Sequence, residues 1–268
     1  MAHQYPTSCN EFELSAEVID SATKVGKLID CSGADFENNG VDTEVVEIIL
    51  KRASPQQRLK FLQLEDCYGC TFFGYFVRKH CNDLIKNISA LLDTGSWFEL
   101  MTHTKPLTFG WTALHDAIES NNIEAIVMID ETLRRDQWYD LLQMQDVCFG
   151  SPLQLAACEG HTVIVEELHQ RVDNKQWRRM LCQRDTYGFN VLHSLTNSWQ
   201  RKIMEVIKNT LRLDEWIDLL SIPLPGYSSD KFHYSGYISL YCVLQDLRVE
   251  AKILRVIRLE DISSKWYQ

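Results

Sequence analysis

The stretch Gly110-Trp-Thr-Ala-Leu-His-Asp-Ala117 decides the fold, because each residue type in it has a separate mechanical task. Gly110 suits a turn position with φ > 0, Thr112 is placed to cap a following helix, and Leu114, Ala117 and Ile118 give that helix one apolar face. His115, three residues beyond Thr112, can reach back to the capping hydroxyl and tie the turn to the helix. The same grammar returns in Asp185-Thr-Tyr-Gly-Phe-Asn-Val-Leu-His193, where Gly188 makes the turn, Asn190 caps, and Leu192 and His193 fill the matching places. Two weaker copies flank these. Gly150-Ser-Pro-Leu-Gln-Leu-Ala-Ala157 carries the pattern one residue short, and Asp66-Cys-Tyr-Gly-Cys-Thr-Phe-Phe73 keeps the Asp, Gly and Thr but has Gly74 where the histidine stands elsewhere.

These stretches resemble the ankyrin-repeat family, whose signature is Gly-x-Thr-Pro-Leu-His-x-Ala in units of about 33 residues. The proline of that signature is replaced by Ala113 and Val191 in the two good copies. The resemblance spans residues 44 to 260 and is sharpest from 97 to 213. It implies an all-α fold, an α-solenoid of about five to six stacked helix-turn-helix repeats with short finger loops.

A second marker sets the period. An aromatic or basic residue followed by an apolar pair stands at Arg58, Trp97, Trp138, Trp177 and Trp216, with spacings of 39, 41, 39 and 39 residues. The surplus over the usual repeat falls before each turn and predicts a lengthened link carrying an extra short helix. The array then divides into units near 44–57, 58–96, 97–137, 138–176, 177–215 and 216–268, the last with an insertion at 221–236. Within a unit the second helix is apolar on one side, through Ile123, Ile126, Val127, Ile129 and Leu133, and again through Val163, Val165, Leu168 and Val172. Stacked neighbours supply the wall that such a helix lacks alone. Residues 1–43 lack the repeat grammar; Ser15–Ile29 has helical apolar spacing, which suits an N-terminal cap or the start of another element.

Composition excludes several classes. The start of the chain holds Glu11, Glu13, Glu17 and Asp20 in place of a basic and then apolar leader, and no apolar run approaches the roughly 20 residues of a bilayer helix, so no secretion signal or membrane insertion is expected. Nine cysteines, an odd and scattered count, read as reduced thiols in a cytoplasmic or nuclear protein. A net charge of −10 makes the surface a poor counterion for nucleic acid, so no general DNA or RNA binding is expected; Arg171, Lys175, Arg178 and Arg179 form the single dense basic patch, read as a solvated face.

No assembled catalytic constellation emerges, and the pattern calls for no cofactor. Cys67, Cys70, His80 and Cys81 come nearest to a zinc set, but the repeat register puts the first two before a helix and the last two at its far end, on the order of 15 Å away, too far for one ion. His115 and His193 occupy one repeat position and read as structural, as do the tryptophans, expected to be buried between units, and Asp66, Asp146 and Asp185, placed to bind turn amides.

The turn tips carry the functional expectation. Tyr68, Phe109, Phe149 and Tyr187 immediately precede the turn glycines, while Trp111 and Phe189 follow two of them. In the resembled family the turns project as fingers beside the first helices and form a concave face that holds protein partners, and an aromatic row there would supply anchors of the kind enriched at hot spots. Arg78, Glu119, Glu159 and Asn197 match family positions facing the same groove. The expected function is therefore a non-enzymatic protein-protein interaction module, a scaffold or adaptor. The same array could serve as the recruitment or regulatory region of a longer signalling protein or enzyme, or as a microbial effector that binds host proteins.

Overall fold

The computed structural model describes residues 43–66, 68–104, 110–147, 150–195, 201–220 and 222. Among these the chain is all-α: fourteen helices and one isolated antiparallel bridge between Glu65 and Thr71, with no strand. The expected Ser15–Ile29 helix and the 221–236 insertion lie outside the described residues. Two compact units divide the chain, Met1–Leu141 and Leu142–Gln268.

The first unit holds α1 (Thr43–Arg52), α2 (Pro55–Leu62), α3 (Phe72–Arg78), α4 (Asn82–Leu91), α5 (Thr94–Thr102), α6 (Ala113–Glu119), α7 (Ile123–Thr132) and most of α8 (Arg135–Gln143). Their starts follow from local chemistry. Ser54 accepts from the Gln57 N–H while the Gln57 side chain accepts from the Ser54 N–H, and Pro55 supplies a ready helical φ. Asp93 accepts from the Gly95 and Ser96 N–H groups to open α5. Helices of like rank pack on one another, α3 on α6, α2 on α5, and α4 on both α1 and α7.

In the second unit, α9 (Pro152–Cys158) packs on α12 (Val191–Ser194), and α10 (Thr162–Gln170) packs on α13 (Arg201–Asn209). Between these ranks lie α11 (Asn174–Cys182), which packs on α12, and α14 (Leu213–Leu220). The predicted extra helix is present in every link the structure describes, as α2, α5, α8, α11 and α14. Trp97, Trp138, Trp177 and Trp216 sit on four of these and are all buried, as expected.

Side-chain hydrogen bonds spaced about one repeat apart hold each unit together. In the first, Asn122 Nδ2 donates to the Val77 carbonyl at 2.8 Å and to Asn82 Oδ1 at 2.9 Å, His80 Nε2 donates to the Ser120 carbonyl at 2.9 Å, and Trp97 Nε1 donates to Thr132 Oγ1 at 2.9 Å. In the second, Gln154 Nε2 donates to the Phe189 carbonyl at 2.7 Å, Gln145 to the Arg184 carbonyl at 2.7 Å, and Trp177 Nε1 to Thr210 Oγ1 at 2.8 Å. Trp138 Nε1, by contrast, is buried with no acceptor among the described residues. A buried N–H left in that state costs about 1–3 kcal/mol.

The second helices follow expectation in part: Ile123, Val127 and Val172 are only half-buried, and one position reverses. Ile126, Ile129 and Leu133 are buried around α7, but in α10 the buried residues are Ile164, Val165 and Leu168, and Val163 is exposed. Leu168 follows Ile164 by four residues and so shares its helix face, whereas Val163 stands about 160° round from Val165 and about 140° from Leu168, on the solvent side.

Candidate functional site

Three of the turns are built by an aspartate and a glycine, while the turn at Gly110 has no aspartate before it in the sequence. Asp66 Oδ1 accepts from the Tyr68 and Cys70 N–H groups at 3.0 and 2.8 Å, and Asp185 Oδ1 accepts from those of Tyr187 and Phe189 at 2.9 and 2.8 Å. Asp146 Oδ1 accepts from the Gly150 N–H at 2.8 Å. Gly69, Gly110, Gly150 and Gly188 have φ of 75°, 91°, 83° and 84°, the left-handed region that favours glycine. The expected assignments of turn glycine and turn aspartate therefore hold.

Behind each turn a cap starts the first helix. Thr71 Oγ1 accepts from the Gly74 N–H at 2.9 Å. At α6 the Thr112 N–H donates to His115 Nδ1 at 3.2 Å, with the Thr112 hydroxyl 2.8 Å from the same nitrogen. The Ser151 N–H donates to Gln154 Oε1 at 3.0 Å, and the Asn190 N–H donates to His193 Nδ1 at 3.1 Å. Because Nδ1 accepts in both histidines, the neutral ring carries its proton on Nε2. Burial, and then the Arg184 charge, hold the His193 imidazole below its ordinary pKa, partly opposed by Asp185.

The first helices are buried on every side over most of their length: Phe72 to Val77, Ala113 to Ile118, and Pro152 to Ala157. Only their C-terminal ends reach solvent. Glu119 and Glu159 are exposed there, as a rim position requires. Arg78 is half-buried and held in place: its guanidinium lies 3.5 Å from Oδ1 of the fully buried Asp116 and 2.6 Å from Cys70 Sγ. Its first task is thus to neutralise a buried carboxylate in the next repeat, a pairing invisible in local sequence because the partners are 38 residues apart.

The turn tips separate into two kinds. Tyr68 and Tyr187, both just before a turn glycine, are 66% and 64% exposed. Trp111 and Phe189, just after one, lean back onto the histidine clamps: Trp111 stacks on His115 with ring centroids 6.2 Å apart, and Phe189 meets His193 at 5.7 Å, edge-on. Phe189 is still 37% exposed. Phe109, Phe149 and Asn197 lie outside the described residues. The sequence reading passed over Val147, which is 51% exposed beside the second unit's turn, where its carbonyl accepts from Thr186 Oγ1 at 3.2 Å.

Other reactive groups are placed as follows. Cys70 stands before α3 while His80 and Cys81 stand beyond its end, as the register predicts; Cys67 lies outside the described residues. Among the described residues no group of three or more His, Cys, Asp or Glu side chains could hold a metal ion. The thiols of Cys158 and Cys182 are pushed up by burial, so neither is a thiolate at neutral pH. No described helix is long and apolar enough to cross a membrane. No protein-family model matches the chain, and no curated protein matches it.

Proposed function

We propose that the chain is an α-solenoid of divergent ankyrin-like repeats and acts as a non-enzymatic protein-binding module, presenting its turn tips and the solvent-facing ends of its first helices to a partner protein. The observation that carries this reading is the pair Tyr68 and Tyr187: two large aromatic side chains at one repeat position, each about two-thirds exposed on a backbone pinned by an aspartate and a left-handed glycine. Exposed aromatics on a rigid loop lose little conformational entropy on binding and bury much apolar area, which is why interface anchors are enriched in them. Hydrogen bonds recurring about one repeat apart in each unit support the repeat reading.

The test is an affinity capture from cell lysate with the wild-type chain and with Tyr68→Ala/Tyr187→Ala, after matching melting temperatures have been verified. A protein retained by the wild type and lost by the double variant supports the reading. Identical retention by both would remove the turn tips from the binding face.

A further inference from the structure

Lys175 and Arg179 stand one turn apart on the exposed side of α11, and neither has an anionic partner among the described residues. Two like charges in that relation repel mildly and contribute nothing to the helix. Their neighbour Arg178 differs, because it pairs with Glu215 of α14 at 3.0 Å, and Asp218 of the same helix acts on Cys182. Of the α14 carboxylates, Glu215 is thus shared by Arg178 and Arg212, and Asp214 pairs with Arg212 at 3.2 Å.

From Asn174 to Phe189 the chain carries Lys175, Arg178, Arg179 and Arg184 against Asp185 alone, within a protein of net charge −10. Asp185 is occupied by two turn N–H groups, and Asp173 caps α11 at the end away from the turn. This basic helix runs into the second unit's exposed apolar tip. Tyr187, Phe189 and Val147 are exposed there, and the Thr186 hydroxyl on the Val147 carbonyl holds the two loops side by side. Three helical residues and two extended ones separate Arg179 from the start of the turn, on the order of 12 Å, which a six-residue extended peptide of about 20 Å spans with ease.

The geometry points to an extended acidic peptide segment of a partner protein, carrying an aromatic or aliphatic anchor, as the ligand of this surface: its carboxylates meet Lys175 and Arg179, and its anchor packs between Tyr187 and Phe189. The assignment rests on the turn tips being the protein-binding face and adds the partner's chemistry. Nucleic acid fits less well. A site of useful affinity engages about six to ten phosphates, and two free cations on a net acidic protein fall far short of that.

A random 12-residue peptide library displayed on phage, panned on the full chain, on Lys175→Glu/Arg179→Glu and on Tyr187→Ala, tests this. Both variants alter exposed side chains only, and circular dichroism confirms their folding. Wild-type selections are expected to be enriched in Asp and Glu flanking an aromatic or aliphatic residue. One selected peptide, fluorescently labelled, should bind at least tenfold more weakly to the charge-reversed variant, with the difference shrinking as salt rises. Enrichment without acidic residues that still depends on Tyr187 overturns the charge assignment and leaves the turn-tip reading standing. Enrichment indifferent to Tyr187 and to the charge reversal overturns both, as does no enrichment. Displacement of the labelled peptide by a 20-nucleotide single strand, with tighter binding than the peptide's own, would assign the patch to nucleic acid instead.

Discussion

The Thr112–His115 junction of the first unit and the Ser151–Gln154 junction of the second solve one problem with different atoms. Each must satisfy the N–H of a capping residue that is wholly buried, and each does so with an acceptor three residues on, at 3.2 Å from an imidazole nitrogen and 3.0 Å from an amide oxygen. The position thus demands an acceptor of a given reach, and histidine is one way to supply it. The amide goes further, since its Nε2 donates to the Phe189 carbonyl and so fastens the next turn. It also keeps its acceptor at every pH, whereas an imidazole that gains a proton loses it. The α3 junction lacks such an acceptor: Thr71 caps through its hydroxyl alone, with Gly74 at the third place.

If packing between ranks outweighs the junctions, Trp138→Ala costs about 3–5 kcal/mol in urea denaturation. A loss of about 1 kcal/mol would place the stability in the turns instead. Gly150→Ala comes next, because a Cβ there meets Gln154 Oε1 at 2.5 Å and Asp185 Cβ at 2.9 Å on a backbone at φ +83°. It should combine about 1–2 kcal/mol of left-handed strain with loss of the amide clamp, whereas Gly160→Ala, with nothing within 4 Å of the added carbon, should show the strain alone. Equal midpoints for the two alanine variants would refute the steric account.

Replacing the clamp itself, Gln154→Ala strands the Ser151 N–H and the Phe189 carbonyl and should cost about 1–3 kcal/mol. Gln154→His restores the first partner only and should recover part of that loss. The His193 clamp adds a pH dependence. The folded-state pKa of His193 lies below the unfolded value of about 6.5, so the neutral ring is favoured by folding. Its contribution is complete above pH 6.5 and declines as the unfolded chain takes up protons below it. His169, lowered by burial beside Trp177, acts in the same direction. Stability should therefore fall as pH drops from about 6.5 to 5.5, and His193→Gln should flatten that fall without abolishing it; a slope unchanged in the variant would locate the dependence elsewhere. Smallest of all, Tyr68→Ala should shift stability by no more than about 0.5 kcal/mol, as expected of an exposed side chain.

Much of this was legible in the residues. Gly, Asp, Thr, Asn and Ser act through their own backbone and its nearest neighbours, so turns, caps and the reach of His115 to Thr112 follow from spacing. The four marker tryptophans also read correctly, because their recurrence at a common place in each repeat points to packing. What was hidden is long-range. Nothing local distinguishes Asp116 as a fully buried carboxylate or Arg78 as its partner in the preceding repeat. The left-handed residue between first and second helices is equally hard to see, because it is His80, then Asn121, then Gly160, at φ of 55°, 54° and 79°. At His80 a bond to the Ser120 carbonyl accompanies a conformation that side chains ordinarily avoid.

The marker tryptophans also make the protein its own optical instrument. Each reports on a different helix of one rank, and their indoles divide by what the N–H touches: a threonine hydroxyl for Trp97 and Trp177, and no acceptor among the described residues for Trp138. An indole without a hydrogen-bond partner in an apolar setting emits at shorter wavelength. Variants that keep one marker tryptophan, with phenylalanine at the other six tryptophan positions to preserve most of the buried volume, would therefore let unravelling be followed helix by helix in emission colour, with no dye attached.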